Sequence, residues 1–253
     1  MNNLEYKMVD VLKDLKDNYG VSGVKAEFEA EGTRLEEALR LKEVVMRSNV
    51  NLTIKIGGCE AIRDMYECQN LGVQRIIAPM IESPYALKKF MLATQTVFKE
   101  DERKNINFGI NIETVCGINL IDDILVIPER YNLSEIVIGR VDLTGSLEMK
   151  KDSINDDIIF NITESVFKKA KCFGLGTAIG GGVSAYSLPF FSKLGNLIDR
   201  YETRKVIFDC PNGINNNAET GILKAVGFEI LWLKNKKEHY NLISKEDDFR
   251  LLM

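Results

Sequence analysis

Carboxylates stand at the ends of short apolar runs in this chain, and two of them are placed to share a cation. Glu113 closes the β-like run INFGINIE (106–113), and Asp142 directly follows SEIVIGRV (134–141). Asn107, Asn111 and Glu113 alternate around Gly109, so on a strand they face one side together. A charge facing a packed interior is costly unless it is paired or bound to a metal. Two carboxylates from neighbouring strands, with room for water and a chelating ligand, suit Mg²⁺ or Mn²⁺ better than structural zinc. The only histidine, His239, lies in the final helical region, which leaves oxygen as the ligand type.

Other strand ends supply further polar groups. The first run ends in Glu27 and Glu29, the second in Lys55 ahead of Gly57–Gly58, and the fifth in Arg140. The sixth ends in Gly180–Gly182 and the seventh in Asp209. Lys55 reads either as a cation for an anionic substrate or as an inward ion-pair partner of Glu27 or Glu29. Arg140 reads either as a substrate clamp or as a structural ion pair. The glycine run suits a tight turn as well as a phosphate cradle. Asp209 suits a cap after the seventh strand, and His239 a solvated helix position.

These groups need a scaffold of repeating units. Met8, Val9, Leu12 and Leu15 recur at helical spacing and predict an opening helix over 3–19. Strand-like runs follow at 21–29, 51–57, 73–80, 106–113, 134–141, 174–180, 203–209 and 228–233, with helical patterns such as 33–48 and 83–98 between them. Thr33 and Glu36 have the spacing of a capping box. Residues 147–157 read as an exposed connection. Strand–helix units in unbroken alternation call for a parallel sheet with helical crossovers. No G-x-G-x-x-G turn follows the first strand, which disfavours an open dinucleotide-binding sheet. The expectation is an α/β fold: a single (β/α)₈ barrel (TIM barrel) over residues 1–253, with an extra N-terminal helix. The chain's 253 residues match the roughly 250 such a barrel takes. Chemistry then belongs at the C-terminal ends of the strands.

Composition narrows the function classes. A net charge of −4 without a basic block argues against nucleic acid as the main partner. No stretch approaches the roughly 20 apolar residues that span a bilayer, so no membrane partner is expected. Residues 1–20 hold no apolar signal core. Cys59, Cys68, Cys116, Cys172 and Cys210 are scattered without a CxxC pair, which suggests neither a zinc ribbon nor a disulfide framework. Cytoplasm is the simplest reading.

Several of these segments together resemble a known family. GINIETVCGINLIDDIL followed by SEIVIGRVDLTGSL is similar to the paired metal motifs of the class II pyruvate aldolase/citrate lyase β-chain family, whose members include hydroxy-oxo-heptanedioate aldolases. LGVQRIIAPMIESPYAL resembles the same family's apolar strand and turn, and the likeness runs from about Glu27 to about Asp209. The resemblance implies that Glu113 and Asp142 hold a divalent cation, Mg²⁺ or Mn²⁺. It puts Asn111 at a polar position usually filled by Gln, and Lys55 near an Arg that binds the substrate's carboxylate and keto oxygen. Backbone N–H groups of Val141, Asp142 and Leu143 would hold a pyruvate carboxylate.

The implied activity is that of a metal-dependent carbon–carbon lyase. It would cleave or form a 2-oxo acid through a pyruvate-type enolate, with an aldehyde as second substrate and Lys55, Glu29 and Arg140 as catalytic groups. The chain departs from the family at the E-H dipeptide after the first strand, where Glu29 precedes Ala30. That leaves Glu27, Glu29, Glu31 or a metal-bound water as base. Two alternatives stay open: an acyl-CoA lyase of the citrate lyase type, and an altered barrel that binds or assembles without catalysis. The resemblance also implies a homo-oligomer, with which the apolar tail FRLLM (249–253) is compatible.

Overall fold

The computed structural model describes residues 1–252. Helix α1 (Asn3–Tyr19) begins at a reciprocal cap, in which the Asn2 side chain accepts from Glu5 N and the Glu5 carboxylate accepts from Asn2 N at 2.8 Å. It buries Met8, Val9, Leu12 and Leu15, the expected stripe. Strand β1 (Val21–Glu27), α2 (Leu35–Ser48), β2 (Asn51–Lys55), α3 (Ile62–Leu71), β3 (Arg75–Ala78) and α4 (Pro84–Val97) alternate as predicted. The cap of α2 sits one residue later than the spacing of Thr33 and Glu36 suggests: Arg34 N donates to the Glu37 carboxylate at 3.2 Å. Short helices α5 (Glu100–Arg103), α6 (Val115–Asn119) and α7 (Ile121–Val126) flank β4 (Asn107–Ile112). Then come β5 (Leu133–Gly139), α8 (Arg140–Ser146), α9 (Asp157–Cys172), β6 (Gly176–Gly180) and α10 (Leu188–Leu194). The chain ends with β7 (Arg200–Glu202), β8 (Val206–Asp209) and α11 (Ala218–Leu251). No described helix is long and apolar enough to cross a membrane.

The strands close into a barrel in sequence order. From β1 to β7 each strand runs parallel to its predecessor. The last strand is a correction to the expected repeat. The run at 203–209 is one arm of a tight hairpin, and β8 runs antiparallel to both β7 and β1. The run at 228–233 is not a strand but lies within α11, where Ile222, Ala225, Phe228 and Trp232 are buried at helical spacing. A six-residue apolar run fits a buried helix as well as a strand, and here the packing decides. The reversal also moves Asp209. It lies at the end opposite the mouth, where it accepts from Ser22 Oγ at 2.7 Å and pairs in register with Arg200.

The barrel interior is unusual in holding charges deep inside. Arg75 on β3 stands 3.1 Å from the carboxylate of Glu135 on β5, and Arg200 on β7 bonds the other oxygen of that carboxylate. Gly109 makes room for this cluster, because a Cβ there would stand 2.6 Å from both Glu135 Cγ and Ile77 Cδ1. A small apolar group, Ile77, Val137 and Ala178, lies next to it inside the barrel. Burial pulls the Arg75 guanidinium below its usual range, and it pulls Arg200, which also faces Arg75, down to about 10. Glu202 and Asp209 offset part of that burial, and among the described residues Glu135 is the one carboxylate in direct contact with both guanidinium groups. Glu135→Ala should cost about 3–5 kcal/mol, the usual scale for stranding a buried charge. Urea denaturation of the variant measures this, and a loss below about 1 kcal/mol would contradict it.

Candidate active site

A cavity of about 450 Å³ opens at the C-terminal ends of β1 to β7. On one side an alternating row of charges crosses it. Lys25, buried on β1, stands 2.8 Å from Glu202 at the end of β7 and 3.2 Å from Glu27. Glu27 stands 3.5 Å from Lys55, which in turn stands 3.2 Å from Glu29. Lys55 thus pairs with Glu27 and Glu29, the ion-pair reading of the sequence, and it also lines the cavity. Burial alone would push both ammonium groups down, but the carboxylates outweigh it. Glu202 and Glu27 hold Lys25 above the ordinary lysine range, and Glu27, Glu113 and Glu29 do the same for Lys55.

Glu113 stands just beyond β4 and is only 2% exposed. One of its oxygens accepts from Met80 N at 3.1 Å and the other from Asn111 Nδ2 at 2.9 Å. Its approach depends on Gly139 of β5, where a Cβ would collide with the carboxylate. Burial raises its carboxyl pKa, Lys55 offsets part of that, and Asp142 adds to it, with a net rise to about 7. Asp142 lies in the first turn of α8, exposed and on the cavity wall. Glu113 and Asp142 line the same cavity, and each feels the charge of the other. Asn111 Oδ1 beside them is buried without a hydrogen-bond donor. Among the described residues no cluster of three or more His, Cys, Asp or Glu forms a closed metal cage. Two carboxylates and a spare amide oxygen, open to solvent on one side, fit a hard divalent ion that completes its shell with water and substrate.

Val141 and Asp142 follow Arg140 at the start of helix α8 and line the cavity, whereas Leu143, the fourth residue of the helix, is fully buried and off the cavity wall. Gly181 passes directly over the helix start: a Cβ there would stand 2.7 Å from Val141 N and 2.9 Å from Arg140 N. Gly181 and Gly182 both have positive φ, 79° and 65°, so the run is a tight turn that also forms the cavity wall.

Arg140 does not reach the cavity, which corrects its expected part as a catalytic clamp. Fully buried, it donates to Asn155 Oδ1 at 2.6 Å, Ile154 O at 3.4 Å, Gly181 O at 3.0 Å and Ser187 Oγ at 3.1 Å. Its guanidinium lies against the rings of Phe190 and Phe191, and burial draws its pKa down to about 10. It staples the 151–155 turn to the glycine turn. Glu29 sits exposed at the rim, beside Lys55. Ala30 lines the cavity, and Glu31 is occupied by Lys205 and by Arg204 at 3.2 Å.

Sequence reasoning missed Lys25, Glu202, Arg204 and Lys151, all of which line the cavity. A signal existed for Lys25, which alternates with Glu27 on one face of β1. Glu202 ends a strand of three residues, too short to show a period. Arg204 lies in the hairpin turn and Lys151 in a 3₁₀ turn, where no pattern marks orientation.

A family model described as HpcH/HpaI aldolase/citrate lyase matches residues 35–181, which include Lys55, Asn111, Glu113 and Asp142. None of the curated proteins matches the sequence. Among solved structures, an HpcH/HpaI aldolase from Desulfitobacterium hafniense DCB-2 superimposes with a TM-score of 0.63 at 14% identity, over 78% of this chain and 82% of that one. An HpcH/HpaI aldolase/citrate lyase family protein from Burkholderia cenocepacia J2315 gives 0.62 at 12% identity, over 93% and 99%. The citrate synthase SbnG gives 0.60 at 15% identity, over 91% and 90%. At these identities the structural matches establish the fold.

The raised Glu113 carboxyl has a consequence for stability in the absence of divalent cations. The unfolded carboxyl ionises near 4.5 and the folded one only near 7, so between these values the unfolded state carries fewer protons and stability falls as pH rises. The full effect is about 3 kcal/mol, at 1.36 kcal/mol per unit. Urea denaturation in EDTA at pH 5 and pH 8 should show this fall, and Glu113→Gln should flatten it. An equal slope in both proteins would remove Glu113 as its source.

Proposed function

The chain belongs to the HpcH/HpaI aldolase/citrate lyase family, and on that premise we propose that it is a divalent-metal-dependent aldolase acting on a 2-oxo acid of the pyruvate type. The observation that carries this reading is the convergence of buried Glu113 and exposed Asp142 on one cavity at the strand ends. Glu113 receives only a share of Lys55, which already serves Glu27 and Glu29, so its charge is under-compensated until a cation arrives. Mg²⁺ or Mn²⁺ held there supplies Lewis acidity that favours an enolate.

The protein's own groups divide the remaining work. Lys55, kept as an ammonium, offers positive charge to the substrate's carboxylate or keto oxygen. The first N–H groups of α8 on the cavity wall, at Val141 and Asp142, orient an incoming carboxylate. Asn111 holds Glu113 in place. Glu27, held low by Lys25 and Lys55 against the opposing effect of burial, stays ionised and makes a poor proton acceptor. Glu29, paired with Lys55 at the rim, would then serve proton transfer where the resemblance implies a histidine one residue on. Neither Lys25 nor Lys55 suits Schiff-base chemistry, which needs a neutral amine and hence a lowered pKa. Self-association belongs to the same reading, as the last turns of α11 leave Leu242, Ile243, Phe249 and Leu251 exposed.

Calorimetry with Mn²⁺ tests the metal site: Glu113→Ala and Asp142→Ala should each weaken binding at least tenfold while the barrel stays folded by circular dichroism. Unchanged affinity in both rejects the site. Borohydride reduction in the presence of pyruvate should leave no pyruvyl adduct on Lys25 or Lys55, and a reduced adduct in the mass spectrum would overturn the metal mechanism. For Lys55, the expected result of Lys55→Met is at least tenfold weaker binding of oxalate, an enolate mimic, in the presence of Mn²⁺. A large fall in melting temperature with oxalate binding intact would assign Lys55 to ion pairing alone.

A further inference from the structure

Four cations line the cavity, and three of them are occupied. Lys25 is held by Glu202 and Glu27, Lys55 by Glu27 and Glu29, and Arg204 by Glu31 at 3.2 Å and Glu229 at 3.7 Å. The fourth, Lys151, is exposed and has no ion-pair partner among the described residues. Its position on the wall is nevertheless built rather than incidental. Lys151 opens the 3₁₀ turn Lys151–Asn155. Buried Arg140 grips the far end of that turn through Ile154 O and Asn155 Oδ1, while its other amino group holds Gly181 O. Ile154 packs so tightly on the glycine turn that a Cβ at Gly182 would stand 2.5 Å from its Cδ1. A guanidinium taken out of water without a carboxylate partner is thus spent on seating this one loop against the cavity.

We propose that Lys151 recognises an anionic group at the outer end of the substrate and so determines which 2-oxo acids, or which acceptor aldehydes, the site takes. The inference rests on the reading of the site as a pyruvate-type aldolase. Depth separates the two ends. Glu113 is buried at the inner end of the cavity, so the enolate-forming part lies inside, and the exposed Lys151 meets what projects outward. A cavity of about 450 Å³ is within the roughly 300–1,000 Å³ of ordinary small-molecule sites and leaves room for more than a pyruvate unit. Charge complementarity supplies the preference. Arg204 on the same wall already serves Glu31 and Glu229, so Lys151 is the cation left to face an anion in the outer cavity. A distal carboxylate and a distal phosphate share this chemistry.

The test measures selectivity in the condensing direction, with pyruvate and Mn²⁺ and three acceptors: neutral glycolaldehyde, carboxylated 4-oxobutanoate and glycolaldehyde phosphate. Lys151→Met should lower the ratio of kcat/KM for an anionic acceptor over the neutral one about tenfold, and Lys151→Arg should restore it. A fall confined to the carboxylate or to the phosphate identifies the natural anion. An unchanged ratio, or equal losses with all three acceptors, overturns the proposal. If the wild-type protein condenses pyruvate with none of them, the aldolase reading fails and Lys151 is judged by binding alone. Calorimetric affinity for succinate or inorganic phosphate should then be at least fivefold weaker in Lys151→Met. Equal affinity in the two proteins, or no binding to either, rejects an anion site.

Discussion

Charge neutralisation inside the barrel is the constraint to which the rest of the structure conforms. Lys25, Lys55, Arg75 and Arg200 point into a space that most barrels fill with branched apolar side chains, and Glu27, Glu113, Glu135 and Glu202 answer them. No one of these groups is stable there alone, because removing a charge from water costs several kcal/mol unless a partner lies close. The glycines follow from this. Gly109 leaves space for Glu135, and Gly139 leaves space for Glu113.

Neutralisation is uneven, and the unevenness is where function enters. The Arg75–Glu135–Arg200 cluster and the Lys25–Glu202 pair are closed, short-range contacts. Glu113 is different, since its hydrogen bonds come from Met80 N and Asn111 while its nearest cation is shared with two other carboxylates. A carboxyl raised to about 7 by burial in this setting is a group that waits for a cation. The proposed aldolase reading would put a divalent ion at this place, where burial leaves the Glu113 carboxylate under-compensated.

The reversed final strand shapes the mouth. A parallel eighth strand would need a long crossover before it, whereas the hairpin between Glu202 and Val206 brings Thr203, Arg204 and Lys205 straight to the rim. There Lys205 and Arg204 seize Glu31 and so tie the loop after β1 to the barrel. The space a further strand–helix unit would occupy is taken by α11, which packs Phe228 and Trp232 into the body and lends Val226 and Glu229 to the cavity.

Much of this was legible in the sequence. Helix α1, the strands from β1 to β6 and the placing of Glu113 and Asp142 at neighbouring strand ends follow from periodicity and from the cost of burying charge, both of which are local rules. The resemblance through GINIET and GRVDLTG pointed to the same two acids. What the sequence did not determine is whatever depends on strand direction or on the space a side chain meets. Antiparallel and parallel strands obey the same alternation, so nothing in TRKVIFD revealed that Asp209 lies at the closed end. FEILWL reads as strand or helix until Trp232 has a core to enter. Arg140 stands at a strand end like a catalytic residue, yet packing turns it outward onto Asn155 and Gly181. A pattern of residue types specifies which face a side chain takes, and only the folded neighbours decide what that face touches.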